Sequence, residues 1–391
     1  MSGSADAEGK IIAWLAEQQE AMVALLRELV GIDSGTYDKA GADAVGEAIR
    51  RFLAAHGVAT EVIPQQRFGD TLRALVPGGA AERGNIVLMG HRDTVYPKGE
   101  VARRPFTVRD GVAYAPGVSD MKAGLVMNSF ILAAFARFGG APGPLVGLYT
   151  ADEEIGSPEG RPMIEAEARN ARIVLNSEPA RASGNVVTGR RGGVFSLMRI
   201  TGKAAHSGAR IKEGISALEE LAHKIIAIHA LTDHEAGISF NVGLARGGQS
   251  VNSVAPWAEA EIDMRYRLPE QREAALGRLR EIIARSYVPG TTAELTIKGE
   301  FPPVVQSPGS KALFELYQEA ARTTGYEVEG EYALGCADSG FTAVLGVPTL
   351  CAVGPQGYAG HSPEERLGLD WRVPRAQACA RTILWLERAG L

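Results

Sequence analysis

Five short segments of this chain carry side chains able to bind a metal or move a proton. They are Gly90-His91-Arg92-Asp93-Thr94, Pro116-Gly117-Val118-Ser119-Asp120, Asp152-Glu153-Glu154, Ser177-Glu178-Pro179 and the glycine-rich loop ending at Gly360-His361. Four of them follow short apolar runs at 86–89, 145–149, 173–175 and 348–353, and one precedes an apolar helical stretch from about 122. In an open α/β sheet ligands gather beyond the carboxyl ends of the strands, so two imidazoles and at least four carboxylates converge on one rim. Taken singly, each has a plainer role: Asp120 as a helix cap, the acidic triplet as a solvated turn, a histidine as a satisfied polar residue. Taken together, carboxylates so crowded repel one another, and a bound dication is the common remedy. Histidine and carboxylate without cysteine suit Zn²⁺, with Mn²⁺ or Co²⁺ as alternatives, whereas Mg²⁺ or Ca²⁺ sites are mostly oxygen. Two histidines and three carboxylates exceed one open catalytic site and suit two metals sharing a bridging carboxylate.

Periodicity indicates the elements that must hold these side chains. Apolar residues three and four apart (Met22, Leu25, Leu26, Leu29) predict a helix over 11–30, and a second helix over about 42–55 stops at His56-Gly57. Strand-like runs at 60–63, 72–76, 86–89, 145–149 and 173–175, with a helix over 122–138, predict an α/β sheet covered by helices. Between about 190 and 301 the order changes to β-α-β-β-α-β, the split βαβ motif. A helix at 310–324, a buried strand at 348–353 and a helix at 374–388 then resume the first pattern. The expectation is a catalytic domain of residues 1–189 and 302–391 interrupted by an α+β, ferredoxin-like domain at 190–301.

Composition removes other classes. With 45% hydrophobic and 22% charged residues the chain reads as globular. Its 41 basic against 46 acidic residues give a net charge of −5, without the basic excess that nucleic acid or an acidic membrane surface requires. The apolar stretch 126–138 is interrupted by Asn128, Ser129 and Arg137 and falls short of a membrane span. Three cysteines, Cys336, Cys351 and Cys379, form neither a disulfide framework nor a thiolate zinc motif. With a polar, acidic N-terminal stretch, the expected location is the cytoplasm. No G-x-S-x-G elbow marks a serine hydrolase, and no G-x-G-x-x-G follows a strand to bind a dinucleotide.

The motifs resemble the family of dinuclear zinc peptidases and deacylases that includes aminoacylase, carnosinase, succinyl-diaminopimelate desuccinylase and bacterial glutamate carboxypeptidase. The resemblance rests on Gly90-His91-Arg92-Asp93-Thr94-Val95, Gly117-Val118-Ser119-Asp120-Met121-Lys122-Ala123-Gly124, Asp152-Glu153-Glu154-Ile155-Gly156-Ser157, Ser177-Glu178-Pro179, Gly202-Lys203-Ala204-Ala205-His206-Ser207-Gly208 and Gly360-His361-Ser362. It is strongest toward the folate-cleaving glutamate carboxypeptidases, through His91-Arg92-Asp93-Thr94-Val95-Tyr96, Glu178-Pro179 and Asp263-Met264-Arg265-Tyr266.

The resemblance implies that His91 and Glu178 hold one zinc, His361 and Glu154 the other, and Asp120 bridges them. It implies Glu153 as general base, Asp93 as the acceptor that fixes the His91 ring, and a cis peptide at Asp120-Met121. The inserted domain resembles the family's lid and dimerisation domain. In a homodimer His206 would reach the partner's active site and stabilise the oxyanion. Arg265 would bind the free carboxylate of the substrate, and Asn252 would lend its amide to that carboxylate or the oxyanion. Two loops depart from the pattern, Gly354-Pro355-Gln356-Gly357-Tyr358-Ala359 and Gly335-Cys336-Ala337-Asp338-Ser339. The implied function is a zinc-dependent carboxypeptidase that cleaves the amide bond to a C-terminal amino acid. The alternatives are an N-acyl-amino-acid deacylase or dipeptidase of the same family, or a non-catalytic metal-binding relative.

Overall fold

Ile86, Val87, Leu88 and Met89 are apolar in succession and buried, which puts their strand inside a sheet covered on both faces. In the computed structural model, which describes residues 2–391, that strand is Asn85–His91 and lies fourth in an eight-stranded mixed sheet. The spatial order is Ala59–Ile63, Thr71–Val76, Leu145–Thr150, Asn85–His91, Ala171–Asn176, Thr349–Cys351, Val186–Arg190 and Gly330–Ala333. The four strands from Leu145–Thr150 to Thr349–Cys351 run parallel, so their carboxyl ends share one edge. His91, Asp152-Glu153-Glu154 and Glu178 lie just beyond that edge, while Asp120 and His361 come from longer loops.

Helix Ala123–Phe138 is buried almost end to end and packs on this sheet among helices Ser2–Ala16, Gln19–Val30, Lys39–Ala55 and Arg372–Leu384. By length and composition the segment Val118–Phe138 could cross a membrane, longer than the stretch expected from sequence, but 83% of its most apolar window is buried. It is a core helix. The helix expected over 11–30 is two, Ser2–Ala16 and Gln19–Val30, because Glu17 and Gln18 donate to carbonyls three residues back and turn the chain. The apolar stripe continues on both sides of that turn, so periodicity alone does not reveal it. Lys122, fully buried, donates to the carbonyls of Leu29 and Ile32 at 3.0 and 2.8 Å and ties the end of the second helix to the Asp120 loop. Burial pulls its pKa down to about 7.

The chain divides into two compact units, the second made of Arg190–Pro303 and Leu334–Cys336. Its four-stranded antiparallel sheet has the order Ser239–Gly247, Trp257–Tyr266, Gly192–Thr201, Thr292–Phe301. Ala258, Ala260, Ile262, Met264 and Tyr266 alternate along one strand, and this face packs with Leu221 and Ile228 of helix Ala217–His229 and Leu276 and Leu279 of helix Gln271–Ala284.

Candidate metal centre

His91 ends its strand with 1% exposure, and its ring is turned by its own neighbourhood. Nδ1 donates to the backbone carbonyl of Asp93 at 3.1 Å, with the Asp93 carboxylate 3.3 Å away, so Nε2 presents its lone pair to the strand edge. Sequence reasoning expected the carboxylate to hold the ring; the better-placed acceptor is the carbonyl. The carboxylate is engaged more widely, accepting the Thr36 hydroxyl at 2.7 Å and the backbone N–H groups of Glu153 and Glu154 at 3.2 Å each.

His91 Nε2 lies 3.3 Å from Asp120 Oδ1, 3.5 Å from Glu178 Oε1 and 3.8 Å from Glu153 Oε2. The other oxygen of the same carboxylate, Asp120 Oδ2, is 3.4 Å from His361 Nε2, which is itself 3.0 Å from Glu154 Oε2. Each oxygen of Asp120 therefore faces a different imidazole. Ligand atoms of His91, Glu153 and Glu178, and those of His91, Asp120 and Glu154, each lie within 4.8 Å of one another. His91 Nε2, Asp120 Oδ1 and Glu154 Oε1 are buried and make no hydrogen bond. An unsatisfied buried polar atom costs about 1–3 kcal/mol, and three around one space are the donor set a cation would complete. The residues fit a metal.

The same crowding shifts the proton affinities of these groups. Burial, then the charges of its carboxylate neighbours, pushes Glu153 well above the carboxylate range, and burial raises Glu154 to about 7. Burial opposes ionisation of Asp120, but the neighbouring imidazoles of His361 and His91 outweigh it and hold the group well below its ordinary range. Bonds to Asp120 and Glu154 push His361 up to about 10. For His91, burial acts downward, and the charge of Glu153 with the nearby carboxylates of Asp120 and Asp93 raises the ring nonetheless. A field that would protonate both imidazoles is one that attracts a dication.

Close backbone packing lets the segments meet. A Cβ on Gly124 would lie 2.0 Å from the Ser177 carbonyl, and one on Gly354 would lie 2.3 Å from the same oxygen, so neither position admits a side chain. The Asp120-Met121 peptide is cis. Two pockets adjoin the centre. One of about 640 Å³ is lined by Tyr37, Val95, Pro97, Ile155 and Glu154, with Lys98 and Asp38 paired at 3.0 Å. The other, of about 430 Å³, is lined by Asp120, His361, Tyr358, Arg181 and Arg366.

His206, Asn252 and Arg265 belong to the second unit. His206 is exposed, and its Nδ1 accepts the backbone N–H groups of Gly208 and Ala209 at 3.1 and 3.2 Å, which leaves the ring proton on Nε2. Its backbone pairs with Ser253, and Ser207 N–H donates to the Asn252 carbonyl at 3.0 Å, so His206 and Asn252 sit side by side. The Asn252 side chain is exposed and accepts from the Ser250 hydroxyl at 2.9 Å. Arg265 donates from Nε to Asp263 at 2.7 Å and from Nη1 to the Cys336 sulfur at 2.7 Å, and lies over the Phe195 ring at 5.0 Å. Burial pushes the Cys336 thiol up, which leaves it a poor nucleophile.

Sequence reasoning missed Glu365. This residue, 1% exposed, accepts the backbone N–H groups of Gly117, Ser119 and Asp120 at 2.9, 2.8 and 3.0 Å and the Tyr96 hydroxyl at 2.7 Å. Its only local sign is its place four residues after His361.

Residues 87–385 match the model of the family described as Peptidase family M20/M25/M40. The chain belongs to this family. This M20 chain is 30% identical over 382 residues to carboxypeptidase G2 of Pseudomonas sp. (strain RS-16), covering 96% of this chain and 91% of that protein. It is 27% identical over 356 residues to acetylornithine deacetylase of Pasteurella multocida (strain Pm70), covering 86% and 89%. Among solved structures its fold is similar to an M20 family metallo-carboxypeptidase of Sulfolobus solfataricus (TM-score 0.74, 17% identity, 93% and 98% covered). It is also similar to human carnosine dipeptidase 1 (TM-score 0.72, 14% identity, 98% and 99% covered). The M20 chain is thus a hydrolytic enzyme of a metal-dependent peptidase family, which sets the non-catalytic alternative aside, and peptide or acyl-amino-acid substrates fit its relatives.

Proposed function

We propose that the protein is a zinc-dependent carboxypeptidase that hydrolyses the amide bond to a C-terminal amino acid, glutamate foremost. The observation that carries this reading is Asp120, whose two oxygens face two different histidines at 3.3 and 3.4 Å. In it, His91 and Glu178 hold one zinc, His361 and Glu154 hold the other, and Asp120 serves both, with Mn²⁺ or Co²⁺ able to replace zinc. When bound, the metals supply Lewis-acid activation of water and of the scissile carbonyl.

The protein's own groups do the rest. Glu153, whose affinity for a proton is raised by burial, takes a proton from the attacking water and delivers it to the leaving nitrogen. Asp93 holds the backbone of Glu153 and Glu154 in place. His206, with its proton on Nε2, is the donor for the oxyanion, acting from the partner subunit. Arg265, already oriented by Asp263 and Cys336, addresses the free carboxylate, and Asn252 beside His206 lends its amide.

The 640 Å³ pocket beside Glu154, walled by Tyr37, Val95, Pro97 and Ile155, suits an apolar or aromatic acyl group. A homodimer is supported by Leu244, 64% exposed on the edge strand Ser239–Gly247, and Ile226, 72% exposed on helix Ala217–His229. Three free cysteines suit the cytoplasm. An N-acyl-amino-acid deacylase or dipeptidase differs mainly in the acyl side. A panel of folates, N-aroyl and N-acetyl amino acids and dipeptides, assayed with zinc and with carboxamide counterparts, tests the reading. Cleavage should favour aroyl-glutamates with a free carboxylate; equal cleavage of the carboxamides would contradict it.

A further inference from the structure

His361 is the most weakly enclosed of the residues around the centre. Its side chain is 54% exposed, against 20% for Asp120 and 5% for Glu154. Both His361 and Ala359 hold left-handed backbone conformations, φ 64° and 54°, that residues with side chains rarely adopt. Contacts elsewhere must fix this loop.

We propose that Glu365 and Tyr96 form a clamp that sets the separation between Asp120 and His361, and with it the affinity of the metal position held by His361 and Glu154. The proposal rests on the dinuclear reading above. Glu365 Oε1 accepts the N–H groups of Ser119 and Asp120, and Oε2 accepts Gly117 N–H and the Tyr96 hydroxyl. One buried carboxylate thus holds the loop that carries Asp120 from the segment that carries His361. The Tyr96 oxygen also lies 2.9 Å from the Ser362 carbonyl, next to His361, so its single proton is shared between two acceptors on the His361 side. Arg104 backs the phenol: its guanidinium lies 4.5 Å from the ring centroid, and Nη1 donates to the carbonyls of Ser362 and Pro363 at 3.3 and 3.1 Å.

Glu365 and Tyr96 are positioning residues, because they act on the centre only through the backbone of its ligands. In Glu365→Gln one oxygen becomes an amide donor that faces either N–H or O–H donors, which breaks half of the clamp in either orientation. Tyr96→Phe removes one hydroxyl and nothing else. His91 and Glu178 are attached to neither residue, so the position they share should not respond to Tyr96→Phe and should respond less than the His361 position to Glu365→Gln, because Glu365 also holds Asp120.

The test is a zinc titration against a competing chelator, resolving the two dissociation constants of the wild type, with His361→Ala identifying the constant that belongs to the His361 position. In Tyr96→Phe that constant should rise about 10–100-fold, the usual effect of losing support around a metal ligand, while the other stays unchanged; in Glu365→Gln, which also loosens the shared Asp120, it should rise more than the other. Two constants that both stay at wild-type values in Tyr96→Phe, or that rise together, overturn the clamp alone. A wild type that binds fewer than two zinc ions overturns the dinuclear reading and the clamp with it. Tyr96→Phe decides the matter if Glu365→Gln fails to fold.

Discussion

The carboxylate of Asp93 accepts the backbone N–H of Glu154 at 3.2 Å through Oδ2, while Oδ1 accepts that of Glu153 at the same distance. One side chain at the end of one strand therefore fixes two acidic residues that follow the neighbouring strand. Asp93→Asn turns one oxygen into an N–H donor facing Glu153 or Glu154, whichever way the amide turns. Zinc affinity or kcat/KM should fall about 10–100-fold with the fold kept. Chelator titration, steady-state kinetics and circular dichroism check this together.

Glu153→Gln separates chemistry from metal binding. The amide keeps the size of the side chain but takes no proton, so kcat should fall by about 10²–10⁴-fold. In the proposed set of ligands Glu153 holds no metal, so zinc content should stay at the wild-type value. Elemental analysis beside single-turnover rates measures both.

Tyr37, 75% exposed, and Val95, 44% exposed, are large side chains left open to solvent on the pocket beside Glu154. If they receive the acyl group, Tyr37→Ala should raise KM for an aroyl-glutamate on the order of 10-fold, about 1.4 kcal/mol of lost contact. KM for the acetyl analogue should move little. The two KM values, compared between variant and wild type, give the answer.

What the sequence reveals and what it hides follows from how each feature is encoded. The strand bearing His91 is a contiguous apolar run, and burial on both faces needs nothing more, so its end and the residues beyond it were legible. The β-α-β-β-α-β order of the second unit was legible because alternation and helical spacing are local patterns. Helix Gly160–Ala168 was not, because it opens with Gly160 and carries Pro162 in its first turn, where proline is tolerated but reads as a breaker. Glu365 was hidden because Pro363-Glu364-Glu365-Arg366 looks like a solvated turn; its burial arises only when Tyr96 and the loop Gly117–Asp120 close over it. Lys122 likewise reads as a surface charge until the carbonyls of Leu29 and Ile32 reach it.

Asp338 links stability to pH. It is 2% exposed, accepts the hydroxyls of Ser157 and Thr150, and burial raises it to about 7. The unfolded chain releases this proton near pH 4, so the folded state holds a proton that the unfolded state has lost. The stability this contributes is full below about pH 4 and disappears as pH rises through about 7. Asp338→Asn accepts one of these hydroxyls through its amide oxygen, donates to the oxygen of the other, and does not titrate. Its stability relative to the wild type should therefore rise by on the order of a few kcal/mol between pH 4 and 8, read by urea unfolding of chelator-treated protein. A difference independent of pH would show that Asp338 is ionised throughout.

In the proposed dinuclear centre Asp120, between His91 and His361, joins two metal positions. Elemental analysis of the purified protein after gel filtration in chelator-free buffer measures this without relying on activity. About two zinc ions per chain are expected for the wild type, with a clear loss in Asp120→Ala. One metal or none in the wild type, or full occupancy without Asp120, would contradict it.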